Sequence, residues 1–451
     1  MRGRSIKVRA VFLNRDFLLL QRGSVVAGAI VVASLCRIAY VTYLGDDIGG
    51  PDGDTYDQGG WDLATGGWLS DDVTGLPYWP PGYPILVGVH YALGGRHPYL
   101  VKLTQIVVIA LATWLAFRIA ERLSAGPVSL LVGVGMSISL VWLGLAHPLM
   151  YETWQALLLL VGIGCLLRAR PGWHPLSYVG AGAALGTAAV FQDKFLTLVV
   201  VLVGWILWVE KPWRRKLVAG LIVASAAAVP VAGFAMRNEA VYGTTIVLAT
   251  NHGINVAIGT GPSATGGYVP APDLPETCRS VVQGRSRAAE DRALTVCSLR
   301  SIAAEPTRFI SLVPAKLARL WSPFTGPRFE SVNWSHPFDL WRLLPEPLAS
   351  SAFIVAIYAL WGATGVSLFV LGVLWWWGRI DRPSLTLLLL PIVWLMAVHV
   401  VTLGDPRFRI PVQPLIWIFQ AGGIWGAIEY TKSRRGRGRL TDLRTARPTG
   451  A

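Results

Sequence analysis

Long apolar stretches alternate with short polar joints along most of the chain. The apolar segments are Val25–Leu44, Leu100–Ala120, Val128–Ala146, Trp154–Leu167, Leu176–Phe191, Phe195–Val209, Leu217–Ala235, Ala352–Trp377, Leu385–Leu403 and Ile410–Ile428. A helix needs about 20 mainly apolar residues to cross a bilayer core of roughly 30 Å. In lipid every backbone group must be satisfied internally, which a helix achieves alone. The pattern predicts about ten spans. One stretch departs from it: "YPILVGVHYALGG", Tyr83–Gly95, has about a dozen apolar residues and suits an interfacial or re-entrant helix. If it crosses, the count rises to about eleven.

Composition supports this picture. The chain is 53% hydrophobic and 15% charged, with a mean hydropathy of +0.49; soluble domains are nearer a quarter charged. An all-α polytopic membrane protein is expected. The net charge of +14 gathers in short basic clusters beside apolar segments, where topology explains it, so no nucleic-acid partner is implied.

Arg2, Arg4, Lys7, Arg9, Arg15 and Arg22 precede the first span and make residues 1–24 a cytoplasmic basic leader. That span follows without a cleavage pattern and reads as an anchor. Arg118/Arg122, Arg168/Arg170, Lys211/Arg214/Arg215/Lys216, Arg379/Arg382 and the basic tail 431–451 then share the cytoplasmic side. Residues 25–236 form a transmembrane core carrying an exoplasmic loop at 45–84. Residues 237–350 form a long exoplasmic loop region, and 351–430 carry the last spans. Cys278 and Cys297 share that long loop and could pair if it faces an oxidising compartment, a bond that sequence spacing alone does not establish.

Three exoplasmic segments carry candidate chemistry. "GGPDGDTYDQGGWDLATGG" forms a short amphipathic helix with Asp52 at its start, where backbone N–H groups favour a carboxylate. Asp52 there is a simple N-cap or a general base. A divalent metal is not favoured, because hard cations need several converging oxygens and no His/Cys spacing fits zinc. Lys194, with Asp193 beside it as a salt-bridge partner, and Arg407 and Arg409 in "DPRFRIP" supply cations that suit phosphate oxygens. Each alone is a snorkelling or topology residue; together with the acidic loop they point to a phosphate site beside a base. Arg37 lies inside the first span, where a charge is expensive; it reaches the same cavity or snorkels outward.

The segment "DGDTYDQGGWDLATG" followed by "YWPPGYPILVGVHYALGG" resembles the first exoplasmic loop of GT-C glycosyltransferases. Its nearest branch is the protein mannosyltransferase and lipid A aminoarabinose transferase group. "YETWQALLLL", "FQDKFLTLVV", "RNEAVYGTTIVLATNHGINVAIGTGPSATGGYVP" and "DPRFRIPVQPL" resemble later segments of that family, in the same order. The resemblance runs from about Val25 to Ile428. It departs at Gly59–Gly60, which replace bulkier residues and would loosen the helix behind Asp52, and at Asp193 beside the lysine.

The resemblance implies a GT-C fold in the bacterial plasma membrane, with exoplasmic juxtamembrane helices and the active site on the exoplasmic face. It implies transfer of a hexose or pentose, such as mannose or arabinofuranose, with inversion. The donor is a polyprenyl-phosphate sugar, and the acceptor is a hydroxyl on a cell-envelope glycan, glycolipid or protein. Asp52, or Asp54, would be the base; Lys194, Arg407 and Arg409 would bind the phosphate; Tyr56, Glu152, Asn251 and Asn255 would bind sugar or acceptor. No cofactor is implied. Trp61, Trp68, Trp79, Trp321 and Trp334 would stack on sugars or anchor at the interface. A flippase of lipid-linked sugars, or a non-catalytic scaffold of glycan assembly, is the other reading.

Overall fold

A computed structural model describes residues 3–49, 51–67, 77–124, 126–170, 172–269, 272–274, 278–280, 286–322 and 352–445. Trp68 and Trp334 lie outside them. Every apolar segment has a helix at its position, and no strand occurs among the described residues. In chain order the helices are α1 (Gly3–Leu44), α2 (Pro51–Ala64), α3 (Gly82–Gly94), α4 (Pro98–Leu123), α5 (Pro127–Ile138), α6 (Leu140–Gly144), α7 (Glu152–Ala169) and α8 (Pro175–Phe191). They continue as α9 (Phe195–Val209), α10 (Trp213–Tyr242), α11 (His252–Thr260), α12 (Arg287–Ala304), α13 (Pro306–Trp321), α14 (Ala352–Trp377) and α15 (Arg382–Val401). A 3₁₀ turn, Pro406–Val412, leads into α16 (Gln413–Thr445).

Local chemistry sets several of these boundaries. Pro98, Pro127, Pro175 and Pro306 open their helices, where a missing N–H costs nothing. Asp381 caps α15 by accepting from the Ser384 N–H at 3.0 Å. Five helices are long and apolar enough to cross a membrane: Gln21–Leu44 of α1, α4, α7, α10 and α15. Shorter apolar helices accompany them at Pro127–Ile138, Pro175–Phe191, Phe195–Val209 and Gly362–Trp377. Helix α8 packs between α7 and α10, and α14 packs along α16.

One predicted span is modified. Val128–Ala146 breaks at Ser139, whose backbone is extended between α5 and α6. Arg37 serves that break: its Nε donates to the Trp142 carbonyl at 3.0 Å and its Nη2 to the Ser137 carbonyl at 3.3 Å. It therefore neither snorkels nor reaches Asp52, Lys194 or Arg407; it satisfies backbone groups that lipid would leave bare. Tyr83–Gly95 keeps the short length that the sequence has. Helix α3 has 13 residues, about 20 Å at 1.5 Å per residue, and so falls short of a span.

Instead α3 lies against α2. Gly60 makes that approach possible: a Cβ there would sit 2.7 Å from Val87 Cβ and 3.0 Å from the Gly88 nitrogen. The glycine expected to loosen α2 is the point where α3 locks onto it. Asp57 reinforces the contact by accepting from Tyr91 Oη and, at 3.0 Å, from Arg96 Nε. At the start of this loop, Lys102 Nζ donates to the carbonyls of Gly45 and Asp47 at 2.7 and 2.6 Å. It thereby ties off the end of α1 and aims the chain toward Asp52.

The described part of region 237–350 alternates helices with non-helical stretches at 243–251 and 261–269. It carries α11, α12 and α13, and a Cys278–Cys297 disulfide with the Cα atoms 5.7 Å apart. Helix α13 meets the membrane bundle through Lys316, whose Nζ donates to the Val400 carbonyl at the end of α15 at 2.7 Å.

Candidate functional site

Helical periodicity sorts the acidic loop. Asp52, Tyr56 and Asp57 are buried on one side of α2, while Asp54 and Thr55 are exposed. Tyr56 is fixed by edge-on contacts with Tyr83, Trp79 and Tyr151, at 5.0, 6.0 and 5.9 Å between ring centroids. That aromatic cage holds Asp52 at the mouth of α7, whose first residue is Glu152.

From the far end of the chain the 3₁₀ turn delivers Arg407. Asp405 caps this turn, its Oδ1 accepting from the Arg407 backbone N–H at 2.8 Å. The guanidinium then donates from Nη1 to Asp52 Oδ2 and from Nε to Glu152 Oε1, with its carbon 5.6 Å from the centre of the Tyr151 ring. Burial alone would lower its pKa, but the Glu152 and Asp52 charges carry it well above the ordinary value. Arg407 is therefore a fixed cation clamped between two carboxylates.

Lys194 stands beside this group, at the start of α9. Its Nζ is 3.3 Å from His399 Nε2 and 4.9 Å from the centre of the Phe408 ring. His399 Nδ1 donates to the Leu403 carbonyl at 2.9 Å, an assignment that leaves Nε2 as the acceptor for the ammonium. The imidazole also stacks on Phe408, 4.6 Å between centroids and 8° from parallel. Burial pushes the Lys194 ammonium down to about 8, against the pull of Glu152 and Asp193 and with the push of Arg407.

Other sequence-selected residues fall elsewhere. Arg409 turns away: its Nε donates to Gln413 Oε1 and its Nη1 to the Leu320 carbonyl, both at 3.0 Å, above the Trp321 ring. Burial lowers its pKa to about 10. Asn255 donates from Nδ2 to the Asn251 carbonyl at 2.8 Å, and no hydrogen bond joins either residue to the Arg407 group. Asp193 pairs with His252 rather than with Lys194. Trp79 reaches the site through Tyr56, whereas Trp61 packs on Tyr91 beneath Arg96. His399, Tyr151 and Phe408 were missed; only His399 left a signal, as an ionisable residue in an apolar segment.

Two buried polar atoms beside Arg407 have no hydrogen-bond partner among the described residues: Tyr56 Oη and Glu152 Oε2. Buried polar groups ordinarily have one. Among the described residues no group of three or more His, Cys, Asp or Glu is arranged to hold a metal ion. The two acids that do converge both bond one guanidinium.

Comparison with protein-family models and with curated proteins finds no match. Solved structures do match in fold. The archaeal oligosaccharyltransferase AglB from Archaeoglobus fulgidus, in complex with an inhibitory peptide and a dolichol-phosphate, superimposes with a TM-score of 0.51 at 12% identity, over 94% of this chain and 52% of that one. The same enzyme in complex with Zn and sulfate gives 0.50 at 12% identity, over 93% and 52%. ArnT from Cupriavidus metallidurans bound to undecaprenyl phosphate gives 0.41 at 14% identity, over 88% and 76%. The chain thus spans about half the length of the oligosaccharyltransferase. It has the all-α, polytopic GT-C fold.

Proposed function

We propose that the chain is an inverting glycosyltransferase of the bacterial plasma membrane, moving one hexose or pentose from a polyprenyl-phosphate donor to an exoplasmic acceptor hydroxyl. The acceptor hydroxyl belongs to a cell-envelope glycan, glycolipid or protein. One observation carries this reading: Arg407 is held between Asp52 and Glu152 with Lys194 alongside, at one end of a GT-C bundle. The dolichol-phosphate of the AglB complex and the disulfide in region 237–350 agree with a lipid-phosphate site facing an oxidising compartment.

In this reading the donor phosphate engages Lys194 and draws Arg407 partly away from Asp52. Glu152 keeps the guanidinium anchored through Nε. The released Asp52 carboxylate accepts the acceptor's proton as its oxygen attacks the anomeric carbon from the face opposite the phosphate. The bond from that carbon to the phosphate oxygen breaks, and polyprenyl phosphate leaves. General-base help contributes about 10²–10⁴-fold, and fixed cations stabilise the charge growing on the phosphate. Tyr56 Oη and Glu152 Oε2 bond sugar or acceptor hydroxyls.

The test is turnover by the purified protein in detergent, with polyprenyl-phosphate-linked mannose or arabinofuranose and an envelope extract as acceptor. Stoichiometric release of polyprenyl phosphate with labelled acceptor, unchanged by EDTA, is expected. Intact donor together with translocation in sealed vesicles would replace the transferase by a flippase.

A further inference from the structure

Asp193 and Lys194 are consecutive residues in the turn between α8 and α9, yet their side chains part. Lys194 reaches inward to His399 and Phe408. Asp193 reaches outward to His252 Nε2, at the first position of α11. The other ring nitrogen of His252, Nδ1, lies 3.3 Å from Asp291 Oδ2 of α12. Asp291 also accepts from the Gly253 N–H through Oδ1 at 2.7 Å, so one carboxylate fixes both the ring and the backbone that carries it. A carboxylate at each nitrogen, one hydrogen-bonded (Asp291) and one ion-paired (Asp193), favours the charged form of the ring. Burial lowers its pKa, but Asp193 and Asp291 outweigh that and raise it to about 10.

The clasp matters because of what Asp193 would do without it. Its charge already acts on Lys194, the cation beside it in sequence. A carboxylate and a phosphate compete for the same N–H donors of an ammonium. With Asp193 held by His252, Lys194 has one hydrogen-bond partner among the described residues, the neutral His399 nitrogen.

We infer that His252 is a positioning residue for Lys194: by holding Asp193 it keeps that carboxylate off the ammonium and leaves the ammonium open to lipid phosphate. The inference rests on the reading of Lys194 as a phosphate ligand. It gives the α11–α12 pair a part in donor binding, through a salt bridge rather than by touching the donor.

Binding of undecaprenyl phosphate to the purified full chain in detergent tests it. His252→Ala should weaken binding about tenfold, the scale of one charge-assisted hydrogen bond. Asp193→Asn should bind at least as tightly as the parent, and His252→Ala with Asp193→Asn should return to within about threefold of it. Restoration by a second substitution is not expected of a residue that merely holds α11 in place. Parent-like binding by His252→Ala overturns the inference. So does a double variant as weak as the single, or weakened binding by Asp193→Asn alone, which leaves the His252–Asp291 contact intact. The phosphate assignment is read separately: Lys194→Ala should lose affinity in every background. If Lys194→Ala binds like the parent, that assignment fails, whatever the His252 variants do.

Discussion

Asp52 and Arg407 stand 355 positions apart in the chain and form an ion pair through Oδ2 and Nη1. Glu152 shares the same guanidinium through Nε. The ends of α2 and α7 and the turn before α16 are therefore joined at one cation, and this junction is the centre of the proposed chemistry.

The two acids of α2 should separate cleanly. Asp52→Asn removes the proton acceptor and is expected to lower turnover at least a hundredfold while undecaprenyl phosphate still binds. Asp54 is exposed, and Asp54→Asn should stay within about twofold of the parent, as surface changes generally do. Loss of turnover in the Asp54 variant would move the base to the other register.

Removal of Arg407 should cost stability as well as activity. Arg407→Ala strands two carboxylates, the Asp52 side chain 7% exposed and the Glu152 side chain fully buried. Breaking a buried pair costs about 3–5 kcal/mol, which thermal unfolding in detergent would register as a lowered Tm. Arg407→Lys keeps the charge but cannot reproduce the fork to both acids, so it should recover only part of the loss.

The Lys194 pKa of about 8 gives binding a pH limit. Burial, the largest cause, favours the neutral amine, so Lys194 loses its positive charge as pH rises through about 8 while Arg407 keeps its own, and phosphate affinity should fall over that interval. Stability runs the other way. Between about 8 and the ordinary lysine value of 10.5 the unfolded chain holds a proton that the folded chain has shed, so this group's contribution rises with pH. A titration of undecaprenyl phosphate binding checks the first sign. Lys194→Arg should flatten it, since a guanidinium keeps its charge.

Gly60 makes a steric prediction. Gly60→Val places branched carbons where Val87 and Gly88 already stand. Overpacking of this kind costs about 1–3 kcal/mol and should displace α2, reducing turnover without touching a polar site residue. Gly59→Ala is the control, because its Cβ would meet Pro84 Cβ at an ordinary 3.6 Å. Equal tolerance of both would show that the α2–α3 contact does not hold the site.

Sidedness is open to cysteine labelling. Thr265 in region 237–350 is exposed. In a background with Cys36 and Cys165 replaced, Thr265→Cys should react with an impermeant reagent in intact cells. Ser433→Cys should react only after permeabilisation. Labelling of Ser433→Cys from outside would reverse the proposed topology.

Patterns within one helix or one turn were legible without the fold. Apolar runs mark each membrane helix because lipid leaves a lone segment little choice but to satisfy its own backbone. The i, i+4 spacing of Asp52 and Tyr56 put both on one side of α2, and α3 is visibly too short to span. Partners distant in sequence were a different matter. Arg407 and Arg409 are alike in type and two residues apart, and only the rotation of the 3₁₀ turn, set by its packing against α7 and α13, sends one to Asp52 and the other to Gln413. Arg37 found the broken joint between α5 and α6. Asp193 found His252, and His399 reached Lys194, across distances that no local propensity encodes. Gly60 carried the opposite meaning in isolation, since a glycine weakens a lone helix but allows close approach once another helix is against it. Short-range conformational preference is written residue by residue. The pairing of buried charges is decided by which helices pack together, because a buried charge is tolerated only where the assembled bundle supplies its counter-charge or its hydrogen bonds.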